Sequence, residues 1–328
     1  MVTYRRMGGL VACAVYCAAF VVSTSCTAIR LAKYRDDRFL AEYRYTLGEQ
    51  YLEVKGLKFC YQEYGEGPTV VILPGLATSI DFWQLNIPAL AEHYHVVAVD
   101  LPGLGKSAKP DASYELPWMC DRILDFLDAK GISQASFIGG SMGGHLGLLL
   151  ALNHPDRTAK LVMMGSTGAW PPPNLVLALG LKLLWNEWLV TDFVRGRWPD
   201  VYALMFKQDT ELRREMFHYQ MAIRADGFRF AAEGRATARA LRSIFDHSCR
   251  SRLGDLHVPL LLIWGAYDEI HPPEDAMYIR RHAPDSRLVL VPDAGHEAMM
   301  DQPDTFNRVV LAFLESGSAG VQDSLAPP

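Results

Sequence analysis

Apolar residues follow two alternating rhythms along most of this chain. Short continuous runs recur: "TVVIL" from Thr69, "HVVAV" from His95, "ASFIGG" from Ala135, "AKLVMM" from Ala159, "PLLLIWG" from Pro259 and "SRLVLV" from Ser286. They are too short for helices and lack the alternation of a half-exposed strand, so they are predicted as strands buried on both faces. Between them, apolar residues fall at helical spacing near Phe82 to Glu92, Leu116 to Lys130, from Met142 onward, Glu274 to His282 and Thr305 to Glu315. Strand and helix taken in turn predict an α/β fold with a doubly wound, mostly parallel sheet covered by helices. Ahead of it, "QYLEVKGLKFCYQEYGEG" from Gln50 has period two around Gly56 and predicts a hairpin.

The alternation stops after Ser166 and resumes at Val258. What lies between is helical in character, rich in Arg, Trp and Leu, and entered through the breaker "WPPPN". One sheet domain, residues 49–166 and 255–316, is therefore expected to be divided by a helical insertion, residues 167–254. The last stretch, residues 317–328, is expected to be a flexible tail.

The amino terminus obeys neither rhythm. No charge falls between Arg6 and Arg30, and "MGGLVACAVYCAAFVV" has the apolar core of a secretory signal. Residues 1–26 are expected to be a signal peptide, a lipoprotein signal or a membrane anchor. The small residues before Cys26 resemble the lipobox of bacterial lipoproteins, which makes Cys26 a lipidation candidate, although Ser23 departs from the usual leucine. Residues 27–48 then form a linker or an amphipathic stalk. The expected address is the cell envelope or outside the cell, with membrane association through the N-terminus.

Composition narrows the partners. The 328 residues carry a net charge of −5 with both signs mixed, so no basic stripe suggests nucleic acid. Cys60, Cys120 and Cys249 are widely spaced without a CxxC pair, which gives neither a zinc site nor a disulfide scaffold. His93 and His95 lack a third ligand nearby, and no metal is expected.

The candidate chemistry sits at Gly139-Gly140-Ser141-Met142-Gly143, a G-x-S-x-G pentapeptide between a predicted strand and a predicted helix. That context holds a serine in a strained turn, with glycines where a Cβ would collide. A serine hydroxyl needs a base to take its proton and a carboxylate to orient that base. Later strand ends supply both: Asp268 follows "LLLIWGAY" and His296 follows "LVLVPDAG". Glu269 competes with Asp268 as the acid.

Together "GGSMGG", "GAYDEIHP", "DAGH" and "DLPGLGKS" at Asp100 to Ser107 make the chain resemble the alpha/beta-hydrolases from about Gln50 to Ser316. The resemblance implies Ser141 as nucleophile, His296 as general base and then acid, and Asp268 as its orienting partner. Oxyanion donors are expected from the backbone N–H groups of Met142 and Leu76, although Pro74-Gly75 replaces the family's usual His-Gly. It also makes the insertion a cap, whose Trp170, Leu177, Trp185 and Trp188 are candidates to line a substrate pocket.

The expected function is a carboxylesterase or lipase that cleaves a small-molecule or lipid ester through an acyl-enzyme, without a cofactor. "GGSMGG" and a cap after "LVMMGSTG" also resemble the carbon–carbon hydrolases of meta-cleavage products. A thioesterase or amidase would use the same triad, and a catalytically idle hydrolase fold that binds ligands is the remaining alternative.

Overall fold

The computed structural model describes residues 48–170, 185–225 and 227–324. The N-terminal signal and stalk expectations, Cys26 and Leu177 lie outside those residues. Among the described residues, no helix is long and apolar enough to cross a membrane.

Each predicted run becomes a strand: β1 (Gln50–Val54), β2 (Leu57–Tyr64), β3 (Thr69–Leu73), β4 (His95–Val99), β5 (Ala135–Gly140), β6 (Thr158–Met164), β7 (Leu260–Gly265) and β8 (Ser286–Val291). They form one sheet in the order β1-β2-β4-β3-β5-β6-β7-β8. The β1–β2 and β2–β4 pairings are antiparallel, and every pairing from β4 through β3 to β8 is parallel.

Successive strand residues point to opposite faces, and because both faces are apolar the sheet has two cores. Val71, Leu73, Phe137, Leu161, Met163, Leu260 and Leu262 enter one. Val70, Ile72, Ile138, Val162, Met164, Leu261 and Ile263 enter the other.

Helices α1 (Ile87–Ala91), α2 (Leu116–Ala129) and α3 (Met142–Asn153) follow β3, β4 and β5. α1 packs Ile87 and Leu90 into the second core, whereas α2 packs Met119, Ile123 and Phe126 into the first. In α3, Met142 through Ala151 are all buried, so the helix is apolar all round and has no polar face to show to water.

Among the described residues, β6 is followed by three helices, α4 (Glu187–Met205), α5 (Glu211–Ala225) and α6 (Gly227–Asp246). Ser243 of α6 accepts the Leu116 N–H at 2.8 Å, which fastens this insertion to the start of α2. The sheet domain then closes with α7 (Pro273–His282), α8 (Ala298–Asp301) and α9 (Pro303–Ser316). α7 starts on a proline, with Glu274 and Asp275 in its first turn and Arg280, Arg281 and His282 in its last, which matches the helix dipole at both ends.

Residues 317–324, expected to belong to a loose tail, are docked instead. A 3-10 turn, Gly317–Gly320, turns the chain back along β8. There Ser324 donates to the Leu288 carbonyl and accepts from Leu290, while Asp323 accepts the Leu288 N–H and pairs with Arg280. An open sheet edge carries unpaired N–H and C=O groups, and this strap satisfies those of β8. The sequence concealed it because a single bridge, Val289 to Ser324, is too short to leave a period.

Truncation after Gly320 is therefore expected to expose the Leu288 and Leu290 amides, with hydrogen exchange at both accelerated about 100-fold or more and amides at the β3–β5 centre unchanged. Unaltered protection at both positions would mean that the strap does not hold in solution.

Candidate active site

The elbow after β5 is built from backbone strain. Ser141 sits at φ 51°, ψ −116°, outside the regions that L-residues favour. Its N–H donates to the Met164 carbonyl at 2.8 Å, so the neighbouring strand holds the bend. A Cβ on Gly143 would lie 1.9 Å from the Leu73 carbonyl oxygen, and only glycine lets the first turn of α3 pass that close to β3. Met142 follows as the first residue of α3, where helix geometry leaves an N–H without an intrahelical partner.

The loop after β3 lies against this elbow. A Cβ on Gly75 would be 3.2 Å from Ser141 Cβ and 3.4 Å from Thr78 Oγ1. The loop turns through Thr78 N–H to Gly75 O at 3.3 Å, with the Thr78 hydroxyl donating to the same carbonyl at 3.0 Å. Neither bond uses the Leu76 N–H, which is left to serve as a donor. Pro74 does not prevent the turn, because its own missing N–H takes no part in it.

The ends of β7 and β8 bring Asp268 and His296 together, with His296 Nδ1 2.9 Å from Asp268 Oδ2. Both are buried, at 4% and 3% exposure, and the backbone N–H groups of Ile270 and His271 each donate to Asp268 Oδ1 at 2.9 Å. A carboxylate with three such donors keeps its charge inside the protein. Burial is the largest influence on Asp268 and acts upward, but the His296 charge and hydrogen bond with His271 hold its acid below the usual range. For His296, burial acts downward, yet the charge and hydrogen bond of Asp268 hold the ring above the usual histidine value. With Nδ1–H committed to Asp268, the neutral ring carries its lone pair on Nε2. Among the described residues, no hydrogen bond joins Ser141 Oγ to that ring. Such bonds are often long in an empty site and tighten when substrate fills it.

Glu269, the competing acid, is exposed and makes no bond to His296. His145 is fully buried, held by the His247 carbonyl and Thr167, and burial pushes it down to about 4, so it remains neutral. His95 pairs with Glu63 and Thr69.

The pocket candidates separate. Trp170 packs its ring 4.9 Å from His271 and donates Nε1–H to Asp275, which places it behind the acid turn. Trp185 is half-buried at the entry to α4. Trp188 is 65% exposed in the first turn of α4, so it lacks the burial that an enclosed substrate wall requires.

Two neighbours of the base escaped the sequence. The His271 ring lies 5.0 Å from that of His296, and burial with the His296 charge pushes it down to about 3. It occupies "DEIHPP" directly after the acid, so its proximity to the site was inferable, whereas its contact with His296 depends on how two loops meet. Asp301 accepts N–H groups from Gly295, Lys207 and Gln208 at 2.7 to 3.0 Å, which joins the histidine loop to the chain between α4 and α5.

Because the neutral His296 ring is the form that accepts a proton, activity is expected to fall on the acid side with a midpoint above about 6.5, the ordinary imidazole value. Asp268→Asn removes the charge that raises it. The variant is expected to lose about 10^3- to 10^4-fold in kcat while remaining folded. Near-normal turnover in D268N, measured alongside its circular dichroism, would remove Asp268 from the site.

A family model described as alpha/beta hydrolase fold matches residues 68–303. A dihydrolipoyllysine-residue acetyltransferase component of an acetoin cleaving system from Pseudomonas putida is 32% identical over 76% of this chain, and the match spans 64% of that protein, less than two thirds of its length. A 2-hydroxy-6-oxo-6-(2'-aminophenyl)hexa-2,4-dienoic acid hydrolase from Metapseudomonas resinovorans is 28% identical over 81% of this chain and 90% of its own. The crystal structure of a membrane phospholipase A, a bacterial virulence factor, superposes with a TM-score of 0.69 at 26% identity, covering 95% of this chain and 98% of that one.

Proposed function

The chain belongs to the alpha/beta hydrolase fold family and is a hydrolase of that fold; from this we propose that it is a serine carboxylesterase or lipase that works through an acyl-enzyme. The observation that carries the reading is the buried Asp268–His296 pair, 2.9 Å apart, on the same sheet edge as the strained Ser141.

In the first half-reaction, Ser141 Oγ attacks the ester carbonyl carbon and gives its proton to His296 Nε2. The carbonyl oxygen becomes an oxyanion, and the Leu76 and Met142 N–H groups donate to it. Preorganised donors of this kind are worth about 3 to 4 kcal/mol each. Collapse breaks the bond to the alcohol, which leaves with the proton from His296. Water then attacks the acyl carbon, gives a proton to His296, and restores Ser141 as the acid departs. Asp268 stays ionised throughout and stabilises the imidazolium formed at each attack.

An ester substrate is favoured over a ring-cleavage diketone by extent of likeness. By superposition the phospholipase structure covers 95% of the chain, a meta-cleavage product hydrolase from Pseudomonas fluorescens 81%. A lipid ester also fits the N-terminal segment, for which we propose export and attachment to the cell envelope. Cys26→Ser is then expected to release the protein from the membrane fraction, and unchanged fractionation would assign attachment to the apolar run itself.

Hydrolysis of p-nitrophenyl esters, from acetate to palmitate, by the full chain in detergent tests the reaction. Ser141→Ala is expected to lower kcat/KM by about 10^4-fold or more, and a fluorophosphonate is expected to label the wild type at Ser141 alone. If the folded wild type neither labels nor cleaves any ester, the ester reading fails. Turnover confined to ring-cleavage diketones would establish carbon–carbon hydrolysis in its place.

A further inference from the structure

Arg224, near the end of α5, is fully buried, and its guanidinium crosses from the cap to the loop after β3. Nη2 donates to the Ala77 carbonyl at 3.1 Å, while Nη1 is held by the backbone and side-chain oxygens of Gln220. The guanidinium carbon lies 4.0 Å from the Trp198 ring centroid and 5.2 Å from that of Phe230, so aromatic faces of α4 and α6 fix its plane. Among the described residues its Nε has no hydrogen-bond partner. Burying a guanidinium in this way is costly, and among the described residues its hydrogen bond outside the insertion goes to Ala77 O.

That contact falls on a strained peptide. Thr78 N–H closes a turn on Gly75 O, with Leu76 and Ala77 at its centre. Ala77 has φ 58° and Leu76 is not in the positive-φ region, the pattern of a type II turn, whose third position favours glycine. Alanine there costs free energy that a glycine would not. The Ala77 carbonyl and the Thr78 N–H belong to one peptide unit. Gly75 O holds its N–H and Arg224 holds its C=O, so the unit is fixed at both ends. Gly75 O belongs to the same peptide unit as the Leu76 N–H, so the Thr78–Gly75 bond ties the direction of that N–H, beside Ser141, to the orientation of the Ala77–Thr78 peptide.

We propose that Arg224 is a positioning residue, a cap side chain that stabilises the strained Ala77 turn and thereby aims the Leu76 N–H at the oxyanion; this rests on the serine-hydrolase reading for its effect on rate. The guanidinium acts through the loop and touches neither nucleophile nor base.

The test pairs Arg224→Met with Ala77→Gly. Arg224→Met is expected to lower kcat on a p-nitrophenyl ester about 10- to 100-fold with KM within about threefold, and to weaken a boronic acid transition-state analogue by the same factor as kcat. Exchange of the Thr78 amide should accelerate at least tenfold. Adding Ala77→Gly should recover at least fivefold in kcat and restore Thr78 protection, because glycine adopts the turn unaided. A cap that had merely loosened would gain nothing from that glycine. Should Arg224→Met lose its melting transition, Arg224→Lys keeps a cation between Trp198 and Phe230, and its single nitrogen stays on Gln220; the same losses and the same rescue are expected.

Unchanged kcat and Thr78 exchange in a folded Arg224 variant, or losses that Ala77→Gly leaves untouched, would overturn the proposal. Wild-type protein that fails to label with fluorophosphonate would instead overturn the serine-hydrolase reading. The Thr78 exchange measurement still decides whether Arg224 holds the turn.

Discussion

Ser141 holds a backbone conformation of φ 51°, ψ −116°, and the surrounding sheet supplies what keeps it there. An isolated chain would relax such a bend, since an outlier of this kind costs on the order of 1 to 3 kcal/mol. Three restraints oppose relaxation. β5 is hydrogen-bonded on both sides, to β3 and β6, so its end cannot swing. The Met164 carbonyl takes the Ser141 N–H. α3 is packed so closely over β3 that a Cβ at Gly143 would strike Leu73. The central strands and the apolar all-round helix thus convert burial into the exact exposure of one hydroxyl at a helix start. The same packing explains why α3 lacks a polar face: a helix pressed into the core on every side has none to spare.

The second constraint is charge. Asp268 is buried, yet two backbone N–H groups and the His296 imidazole keep it ionised. Around it, the other titratable groups are pushed toward neutrality: His271 down to about 3 and Glu297 up to about 7, each chiefly by burial. The site therefore carries one firm negative charge beside His296. When His296 gains a proton, the new positive charge meets Asp268 at 2.9 Å with no competing cation at His271. The low-dielectric surroundings that penalise either ion alone also strengthen the attraction between the two once both are charged.

The strands and the triad candidates were legible because each rests on a local signal. "TVVIL" and "LLLIWG" could only be buried strands, and Ser141, Asp268 and His296 follow strands in the order that the fold requires. What escaped depends on contacts between distant segments. Arg224 lies in "ELRREMFHYQMAIRADGFRF", where alternating charge suggests a solvated face, yet it is fully buried. No pattern within α5 distinguishes it from Arg213 or Arg214; its partner, Ala77, is 147 residues away. Trp188 is the opposite case: its size and hydrophobicity suggest burial, yet it is 65% exposed, because hydrophobicity alone does not decide burial.

Those distant contacts give the insertion more than a covering role. In the turn that leads into α5, Lys207 and Gln208 donate to Asp301, which also takes the N–H of Gly295, next to His296. The Glu297 N–H donates to Met205, at the end of α4. Near the far end of α5, Arg224 reaches Ala77 beside the elbow. α5, roughly 20 Å long at 1.5 Å per residue, and the turn that leads into it therefore connect the loop of His296 with the loop of the expected oxyanion donor. A rigid rod cannot shift at one end alone. Displacing α5 to admit a bulky substrate would disturb both loops together, and its return would restore both. The loop of His296 and the loop beside Ser141 are mechanically linked by this arrangement, so a substitution in the insertion can shift both without touching Ser141, Asp268 or His296.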